Sequence, residues 1–257
     1  MSETNRVALL VTCLVDQIMP EVGVAAVRLL RAAGYQVDFP KAQTCCGQPF
    51  FNAGFREEAA RLAKRTVEIF EDYPAVVLPS GSCATMLRAE YPHLLEPWPG
   101  WHRRALRLAG KTYELSEFLV HRAGWRPPSA PDAPRVTYHD SCHMCRVLGL
   151  RREPRALLEA AGCTLVEMAE SDRCCGFGGL FSVKMPEVSN AMTEEKLEQA
   201  ARTNANVLVT ADPGCLMQMR GWPRPGYPPA QHLAVVLEGL LAKAATTTGQ
   251  PSDTRGE

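Results

Sequence analysis

The stretch Thr44-Cys45-Cys46-Gly47-Gln48 occurs a second time, 129 residues later, as Arg173-Cys174-Cys175-Gly176-Phe177. A single cysteine lies 32 positions before each pair, and another follows each pair in a Gly-Ser-Cys or Pro-Gly-Cys ending. Eight of the ten cysteines therefore form two copies of one pattern: Cys13, Cys45, Cys46 and Cys83, then Cys142, Cys174, Cys175 and Cys215. A repeated spacing requires a common cause, so we interpret the chain as an internal duplication that presents two four-thiol sites.

Hydrophobic patterning predicts the same order of elements around both sets of cysteines. In the first half we expect strand 6–12, helix 20–33, strand 35–39, helix 55–71 and strand 75–78. In the second half we expect strand 135–139, helix 152–161, strand 164–168, helix 188–202 and strand 206–210. This alternation predicts an α/β fold made of two Rossmann-like β-α-β-α-β halves with parallel sheets. The cysteines would lie at the carboxyl ends of the strands, where open α/β sheets hold their ligands.

The same pattern suggests how the chain divides. We predict a first half over residues 6–110, a connecting segment over 111–134, and a second half with a closing helix over 135–244. The connecting segment should contain a short helix at 116–122, flanked by loop-like residues at 98–101 and 127–131. The polar sequence at 245–257 is typical of a disordered tail.

Composition excludes several classes of function. The 28 basic residues are balanced by 28 acidic residues, so the basic excess of a dedicated nucleic-acid-binding protein is absent. No apolar run approaches the 18 or so residues that span a bilayer, and the first residues lack the layout of a signal peptide. We therefore expect a cytoplasmic protein without a transmembrane segment.

In the reducing cytoplasm, a patterned set of thiols indicates metal binding or redox chemistry rather than disulfides. Four thiolates can hold either a zinc ion or an iron–sulfur cluster. Adjacent cysteines chelate one small ion poorly but can reach two metals of a cluster, and Gly47 and Gly176 would allow a tight turn beside it. The pattern favours clusters, and zinc stays open as the alternative. Cys163 is expected to be an inert core residue.

Three further residues lie near the second set. Cys145, three positions after Cys142, is a candidate fifth ligand, although a spare thiol is the simpler interpretation. His139 and His143 flank Cys142, and we expect hydrogen-bonded loop histidines there. A ligand or proton-relay role for either histidine is the alternative.

The doubled Cys…Cys-Cys-Gly…Cys pattern resembles the cysteine-rich CCG domain family. That family includes the cysteine-rich subunit of heterodisulfide reductase, the glycolate oxidase iron–sulfur subunit and lactate utilization protein A. The sequence around the cysteines is most similar to the last of these, and the similarity extends over residues 6–240. The most similar segments are 11–16, 45–49, 79–83, 141–144, 174–179, 181–185 and 214–217. Residues Met86 and Gln218 stand where the heterodisulfide reductase pattern has a further cysteine, so its enlarged noncubane cluster is not expected here.

The resemblance implies an iron–sulfur electron-transfer subunit of a multi-subunit system that oxidises L-lactate to pyruvate, and not an enzyme that works alone. The implied ligands are the eight patterned cysteines, and the implied cofactors are iron–sulfur clusters of the [4Fe-4S] type, with zinc possible at one site. A subunit of a glycolate-oxidase or heterodisulfide-reductase type of oxidoreductase is one alternative, and a zinc-filled structural module of such a complex is another. The chain has no ferredoxin-type Cys-x2-Cys-x2-Cys-x3-Cys run and no Gly-x-Gly-x-x-Gly fingerprint. We therefore expect a ferredoxin-type iron–sulfur subunit and a further subunit as partners.

Overall fold

A computed structural model describes residues 5–247 and contains two four-stranded sheets in which every strand pairing is parallel. The strands of the first sheet are β1 (Arg6–Leu9), β2 (Gln36–Asp38), β3 (Val76–Leu78) and β4 (Thr112–Glu114). Those of the second are β5 (Arg135–Tyr138), β6 (Thr164–Leu165), β7 (Val207–Thr210) and β8 (Ala230–His232). Their orders, β2-β1-β3-β4 and β6-β5-β7-β8, are equivalent. The predicted α/β fold with two similar parallel halves is confirmed.

Helices connect the strands. In the first half they are α1 (Cys13–Ile18), α2 (Pro20–Ala32), α3 (Gln48–Asn52), α4 (Arg56–Phe70), α5 (Gly81–Thr85), α6 (Tyr91–Leu94), α7 (Pro99–Ala109) and α8 (Leu115–Glu117). In the second half they are α9 (Arg152–Ala160), α10 (Leu180–Lys184), α11 (Pro186–Arg202), α12 (Pro213–Arg220) and α13 (Leu233–Thr247). π-Helical turns occur at Met86–Glu90, Phe118–Arg122 and His143–Val147. None of the helices between residues 5 and 247 is long and apolar enough to cross a bilayer.

The two halves share one hydrophobic core. Val7 and Leu9 of β1 belong to the same buried cluster as Val136 and Tyr138 of β5. Helices α2 and α13, one from each half, also contribute to this cluster and pack against each other. Because apolar burial is the main favourable term in folding, the halves stabilise each other and hold the loops of the two sheets in a fixed relation.

The structure adds two strands that the hydrophobic pattern did not indicate. β4 lies inside the segment 111–134 and extends the first sheet beside β3, and β8 extends the second sheet beside β7. Residues 98–101, expected to be a loop, instead start α7, because Pro99 occupies its first turn. α13 runs to Thr247, and the rest of the tail expected at 245–257 lies outside the described residues.

Candidate four-thiol metal centres

The parallel sheets bring the predicted thiols to one edge in each half. Cys13 begins α1 directly after β1, the pair Cys45-Cys46 follows β2, and Cys83 lies in α5 just after β3. In the second half Cys142 follows β5, the second pair follows β6, and Cys215 lies in α12 after β7. All eight patterned cysteines therefore lie beyond the carboxyl ends of strands, where ligand sites of open α/β sheets form.

In the first half the four thiols form a hydrogen-bonded chain. The Cys13 thiol donates to Cys45 Sγ over 3.6 Å, and the Cys46 thiol donates to Cys83 Sγ over 3.4 Å. Cys45 and Cys46 are adjacent and shift each other's pKa, so the two pairs form one row of interacting thiols. In the second half the corresponding thiols shift one another's pKa in the same order, Cys142, Cys174, Cys175 and Cys215.

The first cysteine of each adjacent pair is the most easily ionised thiol of its chain. The hydrogen bond from Cys13, and then that from Cys46, lowers the pKa of Cys45. In the same way Cys142 and then Cys175 lower the pKa of Cys174. The amides of Gly47 and Gly176 donate to these two sulfurs over 3.4 Å. Because the thiolate is the form that binds metal, Cys45 and Cys174 are the thiols of each set that most readily reach that form.

Both thiol sets open on one cavity of about 190 Å³, which lies between the two halves. All eight patterned cysteines line it, together with Gln48, His143 and Asp212. Gln48 and His143 approach each other across it, with 3.3 Å between their Nε2 atoms. The two sites therefore share one space and are not isolated in separate domains.

Asp212 ties the two sites together. Its Oδ1 caps α12 by accepting from the amides of Gly214, over 3.0 Å, and Cys215, over 3.3 Å. Its Oδ2 accepts from the Ser82 amide of the other half over 2.7 Å. At the equivalent position of the first half, Ser80 Oγ accepts from the Cys83 amide over 3.3 Å. One buried carboxylate thus positions the last-cysteine loop of both sites, by charge-assisted hydrogen bonds.

Thr12, immediately before Cys13, has a backbone conformation of φ 74° and ψ 149°, which a β-branched residue rarely adopts. Its hydroxyl is buried without a hydrogen-bond partner in the described part of the chain. Such strain is of order 1–3 kcal/mol and is concentrated at functional sites. The strained residue orients the loop that carries the first thiol of the first site.

Four residues singled out from the sequence lie apart from the thiol chains. The Cys145 thiol points to the Cys142 carbonyl over 3.8 Å and does not line the shared cavity. Cys163 is buried in the shared hydrophobic core. Met86 is buried in the core of the first half, and Gln218 donates to the hydroxyls of two residues of α11. The positions of the further cysteines in the heterodisulfide reductase pattern therefore have packing and hydrogen-bonding roles here.

His139 differs from the hydrogen-bonded loop histidine that we expected. The side chain is fully buried, and neither ring nitrogen has a hydrogen-bond partner among residues 5–247. One ring nitrogen and the sulfurs of Cys175 and Cys215 all lie within 4.8 Å of one another. Burial, and then the nearby Lys196, lowers the pKa of His139 to about 4, so the ring is neutral at neutral pH.

Lys196 was not singled out from the sequence, because a lysine on a helix is usually solvated. Here it is fully buried on α11, and its ammonium donates to the carbonyls of Glu170 and Ser171. Burial lowers the pKa of Lys196, and the attraction of Cys175 opposes that shift. The second site therefore has a buried cation close to its thiols.

With the geometry established, comparison with known proteins identifies the family. The model of a cysteine-rich domain, designated CCG, matches residues 7–88 and again residues 136–220. Lactate utilization protein A of Bacillus subtilis (strain 168) is 48% identical over 217 residues, which is 84% of this chain and 91% of that protein. The chain belongs to the cysteine-rich CCG family of lactate utilization protein A.

Other relatives extend the match. Lactate utilization protein A of Exiguobacterium sp. (strain ATCC BAA-1283 / AT1b) is 46% identical over 241 residues, covering 91% of this chain and 98% of that protein. A hypothetical protein from Helicobacter pylori has a similar fold, with a TM-score of 0.60 and 10% identity. The similarity covers 96% of this chain and 52% of the Helicobacter chain. One matched CCG segment lies in each half of the fold, and each contains the four patterned cysteines of that half.

Proposed function

We propose that this protein is an iron–sulfur electron-transfer subunit of a multi-subunit system that oxidises L-lactate to pyruvate. The observation that carries the proposal is the pair of four-thiol chains that open on one cavity. The names of the relatives, lactate utilization protein A, support the substrate. The carbon chemistry would take place on a partner subunit, since the thiol sites offer ligands rather than a general base.

The thiol donors of the two sites fit an iron–sulfur cluster. Cys13, Cys45, Cys46 and Cys83 would hold it in the first half, and their four equivalents in the second. Bound there, an iron–sulfur cluster supplies one-electron transfer. The amides of Gly47 and Gly176 stabilise sulfur charge at the two sites. Oxidation of lactate to pyruvate releases two electrons and two protons, so two one-electron sites match the electron count. A ferredoxin-type subunit would pass the electrons on.

One observation favours a second candidate function, a zinc-filled module that organises the complex. The sulfur pairs are separated by 3.6 Å and 3.4 Å. Two sulfurs on one tetrahedral zinc ion, each with a bond of about 2.3 Å, lie about 3.8 Å apart. A single ion at the first site therefore also fits the thiol spacing.

Composition and colour distinguish the two candidates. Protein purified without oxygen is expected to be brown, to contain iron and acid-labile sulfide, and to bleach on reduction. A colourless protein with stoichiometric zinc would overturn the electron-transfer proposal. Deletion of the gene should abolish growth on L-lactate as carbon source and leave growth on pyruvate intact, and normal growth on L-lactate would exclude the proposed substrate.

Single substitutions test the ligand set. Cys45→Ser should remove the metal of the first site, and Cys174→Ser that of the second, each halving the metal content per chain. Cys163→Ala is the matched control, since this cysteine is buried in the core away from both thiol chains. Full metal content in both serine variants would contradict the assignment.

A further inference from the structure

The imidazole of His139 occupies an unusual position for a buried polar side chain. It has no solvent exposure and no hydrogen-bond partner within the described chain. Burying a polar group without a partner costs of order 1–3 kcal/mol, so such groups call for an explanation. The nearest chemistry is the end of the second thiol chain, where Cys175 and Cys215 lie within 4.8 Å of a ring nitrogen.

The duplication supplies an internal comparison. β1 and β5 are equivalent with an offset of 129 residues, which pairs His139 with Leu10. Leu10 is buried in the hydrophobic cluster of the first half. The fold therefore accepts an apolar side chain at this position, and the second half carries an imidazole there without any structural need for one.

The geometry points to His139 as a metal ligand of the second site, where its imidazole would take the place of one of the two neighbouring thiolates, Cys175 or Cys215. The side chain approaches the two sulfurs from the protein interior, because His139 does not line the cavity on which the thiols open. Ligation would give one unpartnered ring nitrogen a bond. The second site would then bind through mixed thiolate and imidazole donors, and the first through thiolates alone. This inference rests on the proposal that the sites hold metal.

A mixed donor set makes the two sites chemically different. An imidazole is a neutral donor, whereas a thiolate is anionic. Replacement of thiolate by imidazole donors raises the reduction potential of an iron–sulfur centre. If the sites hold clusters, the second is expected to be reduced before the first.

The test isolates the second site in the full-length chain. The Cys45→Ser/Cys46→Ser variant leaves only that site intact, and it is loaded without oxygen with iron and sulfide or, separately, with zinc. Pulsed electron paramagnetic resonance of the reduced iron form should show nitrogen hyperfine coupling, and X-ray absorption of the zinc form should show an imidazole shell. Adding His139→Leu should remove both signals and weaken metal binding at least about tenfold.

Three controls make the result specific. His143→Asn in the same background should keep the nitrogen signals, although His143 Nδ1 lies 3.8 Å from Cys142 Sγ. His139→Cys should retain metal through a thiolate while losing the nitrogen signals. The Cys174→Ser/Cys175→Ser variant, which leaves only the first site, should show no nitrogen ligand. The leucine variant places at 139 the residue type that the first half uses, and circular dichroism checks its fold.

The outcomes separate this inference from the proposed function. A sulfur-only ligand shell in a protein that holds reducible iron would overturn the role of His139 and leave the electron-transfer proposal standing. Zinc in place of iron, with an imidazole shell that His139→Leu removes, would do the reverse. If the nitrogen signals were lost in His143→Asn instead, His143 would be the nitrogen ligand, and the inference about His139 would be refuted.

Discussion

Replacement of Gly176 by alanine is expected to damage the second site far more than an ordinary glycine substitution. Gly176 directly follows the second cysteine pair and has φ of +91°. A Cβ atom there would overlap the Ser189 carbonyl oxygen and lie 3.0 Å from Thr193 Oγ1. Ser189 also donates its hydroxyl to the Gly176 carbonyl over 2.8 Å, so α11 and the loop are packed backbone to backbone. The clash cannot be relieved by turning a flexible side chain.

The size of the effect follows from two contributions. A positive φ costs a non-glycine residue about 1–2 kcal/mol. Overpacking against a fixed backbone adds about 1–3 kcal/mol, so the total is about 2–5 kcal/mol. Gly34→Ala is the matched control, because Gly34 has φ of +88° and nothing lies within 4 Å of its would-be Cβ. Gly47→Ala is intermediate, since its Cβ would lie 3.4 Å from its nearest neighbours at φ +88°.

The measurement is denaturant unfolding of the three variants, with the metal content of each. We expect the free energy of unfolding to fall least for Gly34→Ala, more for Gly47→Ala and most for Gly176→Ala. Only the Gly176 variant should lose metal from the second site, because its loop must move to clear α11. If Gly176→Ala lost no more stability than Gly34→Ala, the close approach of the loop to α11 would be refuted.

Three further substitutions test other parts of the structure. Asp212→Asn should cost about 1.5–3 kcal/mol in denaturant unfolding, because asparagine keeps one acceptor oxygen and its amide nitrogen cannot accept the other set of hydrogen bonds. The partly exposed control Asp172→Asn should cost less than about 1 kcal/mol, and equal losses would contradict the bridging role. Arg155 donates to both oxygens of buried Asp140 over 2.9 Å. Arg155→Met should therefore lower the free energy of unfolding by about 3–5 kcal/mol in the same assay. Arg61→Met, which breaks the exposed pair with Glu58, should lower it by at most about 1 kcal/mol. Burial raises the pKa of Glu114 from its ordinary 4.5 to about 7, so its stabilising contribution is complete below pH 4.5 and is lost as the pH rises through 7. Glu114→Gln should remove about 3 kcal/mol of pH dependence from the unfolding free energy over that window, and an unchanged pH profile would refute the raised pKa.

The alternation of apolar runs and helical spacing was enough to predict both parallel sheets, because central strands such as β1 and β3 are buried on both faces and read as continuous apolar segments. The outer strands β4 and β8 carry the sequences Thr-Tyr-Glu and Ala-Gln-His, which show no such run. Each pairs through its backbone with an inner strand, β4 with β3 and β8 with β7. That contribution comes from tertiary structure and is absent from the local pattern.

The site was predictable where the duplication repeats it and not where the halves differ. The eight cysteines were found because their spacing occurs twice. His139, Lys196 and Asp212 have ordinary sequence surroundings, and their importance lies in burial next to the thiols. A signal for His139 was nonetheless present, since aligning the halves at an offset of 129 places it opposite Leu10. Differences between repeats locate specialised residues that the common pattern hides.

The same comparison shows that the second site is the more polar one. Gly47 packs near Ala59 and Leu62, and Gly176 near Ser189 and Met192, so α4 and α11 align with an offset of 130 residues. Lys196 therefore occupies the position of Thr66 in the first half. In the same way His139 occupies the position of Leu10, and Asp212 that of Ser80.

Of these changes, the buried ammonium and the neutral imidazole would act in the same direction on a redox centre bound there. A cation in a medium of low dielectric stabilises the added negative charge of a reduced centre, and an imidazole ligand leaves less charge there at the start. The carboxylate of Asp212, which lines the same cavity, would by itself disfavour added negative charge. Its oxygens accept hydrogen bonds from three backbone amides, which offset its charge. Duplication has kept the thiols equal and made their surroundings unequal, and under the proposed function this difference would give electrons a preferred order across one shared cavity.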